Sequence, residues 1–168
     1  MMFLKNYTSA VPVSETIRKI EAVLIRCGVS GITKEYGPQA NVSALRFEIA
    51  IPGSSTVNIR LPVDRDRALE ALWANYVNDD DLSPDGGELA WGSQKRKKKS
   101  DFKDQAERTA WKIVQDWVEV QMSMIQLKQA DFVEVFLPYV WDGRSTVYSR
   151  IKAADYRALL PERSENPH

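Results

Sequence analysis

Histidine and cysteine are almost missing from this chain, and their scarcity excludes several kinds of site. The only histidine is His168 and the only cysteine is Cys27. Serine–histidine and cysteine–histidine nucleophilic sites, and metal sites built on histidine, need side chains that the sequence does not supply. A single thiol cannot close an intrachain disulfide, which argues against an oxidising compartment.

Neither a net charge nor a long apolar run points to a partner. The 23 basic residues are balanced by 23 acidic ones, so any electrostatic preference must come from local clusters. No apolar run approaches the ~20 residues of a membrane-spanning helix, and Met1–Tyr7 lacks the pattern of a signal peptide. We therefore expect a cytoplasmic protein with no membrane partner.

Side-chain periodicity predicts an α+β fold. Alternating apolar residues are typical of strands, and apolar residues three and four apart are typical of helices. The segments that favour strands are Leu4–Val11, Ile32–Tyr36, Ser43–Ile51 and Thr56–Leu61. Helices are predicted from Ser14 to the stop at Gly28, after Asp64, from Phe102 to about Leu127, and within Ser145–Leu160.

These elements predict three portions of one domain. Residues 1–77 form the sheet-plus-helices portion, with a small antiparallel sheet of three or four strands and a helix packed on it. Residues 78–100, rich in charge, glycine and proline, form a flexible linker. Residues 101–168 form a mainly helical portion that is built on the long helix and packs on the first portion.

The long helix carries more apolar surface than one contact would cover. A heptad-like seam runs beside a second apolar stripe, and together they span roughly 220° of the helix at ~100° per residue. The seam comprises Ala106, Ala110, Ile113, Trp117, Val120, Met124 and Leu127, and the second stripe Trp111, Val114, Val118, Met122 and Ile125. So wide a stripe predicts a homo-oligomer or a protein partner.

The sharpest charge feature is a basic run within the linker, Lys95, Arg96, Lys97, Lys98 and Lys99. Consecutive cations beside an aromatic ring suit nucleic acid, because they bind phosphates while the ring stacks on a base. Trp91 is the candidate ring. The alternative is a solubilising linker whose charge balances the preceding acidic run.

A second candidate site surrounds Trp141, the tryptophan that a helical stripe explains least. Tyr139, Arg144 and Tyr148 lie close to it in sequence. Aromatic rings and an arginine suit a small anionic ligand. A binding or sequestering protein that holds such a ligand in an interhelical or intersubunit pocket is therefore the alternative function.

No cofactor or metal is expected. Neither a P-loop nor a G-x-G-x-x-G pattern occurs, and the acidic residues at 79–81, 85 and 88 do not match the calcium-loop spacing. Cys27 lies on the apolar stripe of the first helix and is expected to be a small buried hydrophobe. These patterns favour a non-enzymatic protein, and an enzyme that uses carboxylates ranks third.

Scattered core and turn residues resemble a family of small uncharacterised proteins of bacterial prophages and mobile elements. The residues that carry the resemblance are Asn6–Thr8, Val13, Thr16, Ile20, Leu24, Gly28, Arg60–Pro62, Ala110–Ile113, Asp116–Val118, Gln121 and Glu134–Tyr139. The resemblance covers most of the chain except Asn78–Ser100 and brings no catalytic motif. It implies a phage-type accessory protein, a class that commonly handles DNA, assembles into particles or blocks a host component.

Overall fold

A computed structural model describes residues 4–81 and 97–160 and confirms the α+β fold. The helices are α1 (Val13–Arg26), α2 (Arg65–Asp81), α3 (Lys103–Gln126), α4 (Phe132–Phe136) and α5 (Val147–Ala153). The strands are β1 (Gly31–Tyr36), β2 (Val42–Ala50), β3 (Thr56–Arg60) and β4 (Val140–Trp141). Short 3₁₀ turns cover Lys99–Phe102, Leu137–Tyr139 and Arg157–Leu159.

The four strands form an antiparallel sheet in the order β1-β2-β3-β4. The predicted hairpin of β2 and β3 is confirmed, with Phe47 opposite Ile59. The fourth strand is β4, whose Trp141 pairs with Asn58 and whose Val140 pairs with Ile59. The sheet therefore contains the Trp141 segment and not the segment Leu4–Val11.

The predicted strand over Leu4–Val11 is wrong. Lys5–Thr8 is a turn, and Asn6 adopts a left-handed backbone conformation with φ of 61°. Asparagine tolerates that conformation better than most residues do. Carbonyl groups of this segment accept hydrogen bonds from Gln105 and Thr109 of α3, so a helix rather than a neighbouring strand satisfies them.

Four side chains fasten this turn to α3, and we name them the Asp116 clasp. The Asp116 carboxylate lies 2.8 Å from Lys5 Nζ and 3.1 Å from Lys112 Nζ, and it accepts a hydrogen bond of 3.0 Å from Asn6 Nδ2. Partial burial raises the pKa of Asp116. The hydrogen bonds from Lys5, Asn6 and Lys112 outweigh that effect and lower the pKa from 3.8 to about 2.

The described residues fall into two compact units. Unit 1 takes Met1–Arg26 and Pro62–Ser123, and unit 2 takes Cys27–Leu61 and Met124–His168. In unit 1, the buried stripe of α1 is Ile17, Ile20 and Leu24, as the spacing predicts. Gly28 follows α1 with φ of 84°, which confirms the predicted left-handed stop.

The buried face of α3 combines the start of the heptad-like seam with the second stripe. Ala106 and Ala110 of the seam are buried, as are Trp111, Val114 and Val118 of the second stripe. Later in the seam, Val120 is 56% exposed, and Leu127, just after the helix, is 68% exposed. The predicted homo-oligomer stays a prediction.

The core of unit 2 is formed by the sheet and α4. Phe47 of β2 is fully buried and packs edge-on against Phe136, with ring centroids 5.3 Å apart, and against Phe132 at 6.4 Å. Asp131 begins α4 by accepting a hydrogen bond from the Val133 amide. Because aromatic pairs favour this edge-to-face arrangement, the three rings fix α4 on the sheet.

The helix α2 begins as predicted and ends later than predicted. Asp64 Oδ1 accepts a hydrogen bond of 2.9 Å from the Arg67 amide, so it is the expected cap. The helix continues to Asp81, four residues past the predicted end of the first portion at 77. Aspartate costs little once a helix is established. Residues 82–96 lie outside the described residues, so the flexible linker stays a prediction.

Candidate functional site

The described part of the basic run lies beside three aromatic rings of unit 1. Trp73 and Tyr76 extend from α2, and Phe102 ends the 3₁₀ turn. Their ring centroids are 5.7 Å (Trp73–Tyr76), 6.1 Å (Trp73–Phe102) and 5.2 Å (Tyr76–Phe102) apart. We name these rings together with Lys97, Lys98 and Lys99 the lysine corner.

Two contacts fix the first lysine of this corner on the rings. The Lys97 ammonium lies 5.7 Å from the centroid of Phe102, within the range of a cation–π interaction. The Lys97 amide donates a hydrogen bond of 3.3 Å to the Tyr76 hydroxyl. The chain therefore enters the 3₁₀ turn along the aromatic cluster.

The other two lysines differ in their neighbours. The Lys99 ammonium is paired with the Glu70 carboxylate of α2. The Lys98 amide donates to Asp101 Oδ2 at 2.8 Å, while its side chain is exposed. One carboxylate thus neutralises Lys99, and Lys97 and Lys98 carry the remaining positive charge of the described corner. The other predicted members, Trp91, Lys95 and Arg96, lie outside the described residues.

The turn after Trp141 is organised by an aspartate. Asp142 Oδ1 accepts hydrogen bonds of 2.8 Å from the amides of Arg144 and Ser145, and Asp142 also pairs with the Arg150 guanidinium. The two backbone hydrogen bonds are the main reason why the pKa of Asp142 falls from 3.8 to about 2. Gly143, with φ of 97°, supplies the left-handed residue that the turn needs.

The predicted ligand residues around Trp141 contact other partners. The Tyr148 hydroxyl lies 3.4 Å from the Tyr156 hydroxyl, a contact that raises the pKa of Tyr156. Arg144 is exposed at the tip of the turn, and Tyr139 ends a 3₁₀ turn and is half-buried. A pocket formed jointly by Tyr139, Trp141, Arg144 and Tyr148 stays a prediction.

The cation that contacts Trp141 comes from β3. The Arg60 guanidinium carbon lies 4.7 Å from the centroid of the Trp141 ring. Arg60 also pairs with Glu35 of β1, which pairs with Arg46 of β2. We name Glu35, Arg46, Arg60 and Trp141 the arginine face. No local pattern in the sequence predicts this face, because its members are far apart along the chain. The alternation of Arg46 and Glu48 with buried residues was the available signal.

Cys27 lies at the edge of a cavity in unit 2. The cavity, of about 330 Å³, is lined mainly by apolar residues, among them Ile49, Ile51 and Phe132. The thiol is half-buried, which corrects the expectation of a buried one, and its sulfur lies 3.5 Å from the donor Gln126 Nε2. Within residues 4–81 and 97–160, no group of three or more histidine, cysteine, aspartate or glutamate side chains could hold a metal ion.

No helix in the described part of the chain has both the length and the apolar composition needed to cross a bilayer. Comparisons of the chain with protein-family models, with curated proteins and with solved structures find no match.

Proposed function

We propose that this protein is a non-enzymatic accessory protein that binds nucleic acid through the lysine corner. The observation that carries the proposal is the position of Lys97, whose ammonium lies over Phe102 in a cluster of three rings. Sequence-tolerant nucleic-acid binding combines cations that contact the phosphates with rings that stack on bases. The lysine corner places both kinds of group side by side, on α2 and on the segment from Lys97 to Phe102.

The resemblance to prophage and mobile-element proteins supports the same proposal from another direction. Proteins of that kind commonly handle DNA, and a chain of 168 residues has the small size of an accessory protein. We propose a cytoplasmic role in such an element. A homo-oligomer would place several lysine corners on one strand, and the resulting multivalency would strengthen binding.

Fluorescence anisotropy with short single-stranded DNA, duplex DNA and RNA at several salt concentrations tests the proposal. The variant Lys97→Ala/Lys98→Ala/Lys99→Ala should bind more weakly. The slope of log affinity against log salt should fall by about 1.4 for single strands if Lys97 and Lys98 each contact one phosphate, since Glu70 neutralises Lys99. The matched control, Lys19→Ala/Lys128→Ala/Lys152→Ala, removes the same charge elsewhere and should retain the wild-type slope.

A second variant, Glu70→Gln, tests whether removal of a negative charge from the lysine corner strengthens nucleic-acid binding. Glu70 neutralises Lys99, so Glu70→Gln should strengthen nucleic-acid binding by about fivefold at low salt, the Coulomb energy of one pair in water. Equal affinity of wild type and the triple-lysine variant would refute the proposal. Equal losses in the triple-lysine variant and in its control would show that only overall charge matters.

A further inference from the structure

The arginine face brings like charges together on neighbouring strands. Arg46 of β2 stands directly opposite Arg60 of β3 in the antiparallel register. Like charges in directly opposed positions destabilise a sheet. Glu35 of β1 offsets that repulsion, with Oε1 at 2.7 Å from Arg46 Nε and Oε2 at 3.4 Å from Arg60 Nη2. Two cations and one carboxylate leave this group with a net charge of about +1 at neutral pH.

Only one nitrogen of each guanidinium group is paired with Glu35. Each guanidinium carries five N–H donors in a planar fork. Arg46 meets Glu35 through Nε and Arg60 through one terminal nitrogen. The side chains of Arg46 and Arg60 are 27% and 36% exposed, so the groups are accessible yet partly shielded from water. Partial shielding strengthens charge-assisted hydrogen bonds to an anion.

Trp141 holds one of these forks in place. Its ring lies 4.7 Å from the Arg60 guanidinium carbon, and it is positioned by the pairing of β4 with β3. A stacked guanidinium loses less rotational freedom when it binds a ligand than a mobile one does. The fork of Arg60 is therefore preorganised between Trp141 and Glu35.

We propose that the arginine face binds a phosphate monoester through Arg46 and Arg60. A phosphate monoester presents three terminal oxygens and nearly two negative charges, which match two neighbouring guanidinium groups better than the two oxygens and single charge of a carboxylate. This site lies in unit 2 and its residues are separate from the lysine corner. It therefore goes beyond the proposed nucleic-acid binding and uses none of the same side chains.

Isothermal titration calorimetry at low ionic strength tests the proposal with three probes: inorganic phosphate, adenosine monophosphate and acetate. We expect saturable binding of both phosphates with Kd below roughly 1 mM and much weaker binding of acetate. Similar binding of both phosphates identifies the phosphate as the recognised group. Tighter binding of adenosine monophosphate than of inorganic phosphate shows that the site recognises the nucleoside as well as the phosphate.

Conservative variants separate this site from structural effects. Arg60→Lys retains the charge but loses the fork, so phosphate should bind about tenfold more weakly, the energy of one hydrogen bond to a charged group. Arg67→Lys is the matched control, because Arg67 is an exposed, ion-paired arginine of unit 1. It should leave phosphate binding unchanged. Glu35→Gln should tighten phosphate binding by about fivefold, since a competing carboxylate is neutralised.

Circular dichroism melting of each variant confirms folding before titration. A Kd above roughly 1 mM for both phosphates with the folded wild type would overturn the proposal. So would equal affinities of wild type, Arg60→Lys and Glu35→Gln. The triple-lysine variant should bind inorganic phosphate as wild type does, so a failure of the nucleic-acid proposal leaves this one independently testable.

Discussion

Two carboxylates in this protein each hold two cations, and they do so with different results. In unit 1, Asp116 contacts the ammonium groups of Lys5 and Lys112 and the amide of Asn6. In unit 2, Glu35 contacts the guanidinium groups of Arg46 and Arg60. The first carboxylate joins a turn to a helix, and the second separates like charges on adjacent strands.

The two sites differ in the hydrogen-bond donors that each cation retains after it contacts the carboxylate. An ammonium group is a compact, strongly hydrated charge, and Lys5 remains 61% exposed to water beside Asp116. A guanidinium group keeps several fixed donors after one of them meets a carboxylate. Loss of the Asp116 charge should therefore mainly lower the free energy of unfolding. Loss of the Glu35 charge should mainly change the affinity for phosphate.

The largest expected effect comes from removing the support beneath the arginine face. Phe47 is adjacent to Arg46 in β2, points to the opposite side of the sheet and is fully buried against Phe136. Phe47→Ala should reduce the free energy of unfolding by about 3–5 kcal/mol, because a cavity replaces the ring. Chemical denaturation monitored by circular dichroism measures the loss. A loss below 1 kcal/mol, roughly that of a surface change, would contradict the packing described for β2.

Asp116→Asn should have the next largest effect. The depressed pKa of Asp116 corresponds to about 2 kcal/mol of stabilisation at neutral pH, and the carboxylate is only 21% exposed, so solvent screening is limited. Urea denaturation at pH 7 should show that loss. Glu35→Gln, the matched change in unit 2, should cost less than about 1 kcal/mol, as exposed ion pairs do. Equal losses in the two variants would remove the distinction between the carboxylates.

The same carboxylate predicts an acid dependence of stability. The pKa of Asp116 is about 2 in the folded protein and near 3.8 when the chain is unfolded, so the unfolded chain binds the proton first as the pH falls. The Asp116 contribution should be complete above about pH 5 and lost between about pH 4 and 2. Stability measured across this range should fall less steeply in Asp116→Asn than in wild type. Parallel curves would show that Asp116 is not the group responsible.

The smallest expected effect is that of Glu48→Gln, close to Arg46 and Arg60. Glu48 lies two residues after Arg46, and its carboxylate lies close to Gly31 of β1. At roughly 7 Å along the strand, its charge should weaken phosphate binding at Arg46 by about two- to threefold. Glu48→Gln should therefore tighten phosphate binding by the same factor, as measured by calorimetric titration. A larger gain than that of Glu35→Gln would place the anion nearer to the Gly31 end of β1 than to Glu35.

Elements defined by local patterns were predictable, and those defined by distant partners were not. The stripe of α1 and the hairpin of β2 and β3 follow from residues within one window of sequence. The turn at Lys5–Thr8 depends on side chains of α3 about a hundred residues later. The residues before Pro12 therefore favour a strand only when those partners are left out.

The candidate sites divide in the same way. The lysine run is visible because its charges are consecutive, whereas the contact between Arg60 and Trp141 depends on the pairing of β3 with β4. A two-residue strand such as β4 is too short for alternation to be recognised. The ring cluster of Trp73, Tyr76 and Phe102 likewise needs the 3₁₀ turn to meet α2.

The brevity of β4 has a consequence for how copies of this chain can associate. One edge of the sheet is β4, which offers only two residues to an incoming strand. The other edge is β1, where a register irregularity between Glu35 and Tyr36 interrupts the ladder. Short and irregular edges are poor templates for strand addition and protect a protein from fibrous aggregation. Any self-association of this protein should therefore leave its β content unchanged.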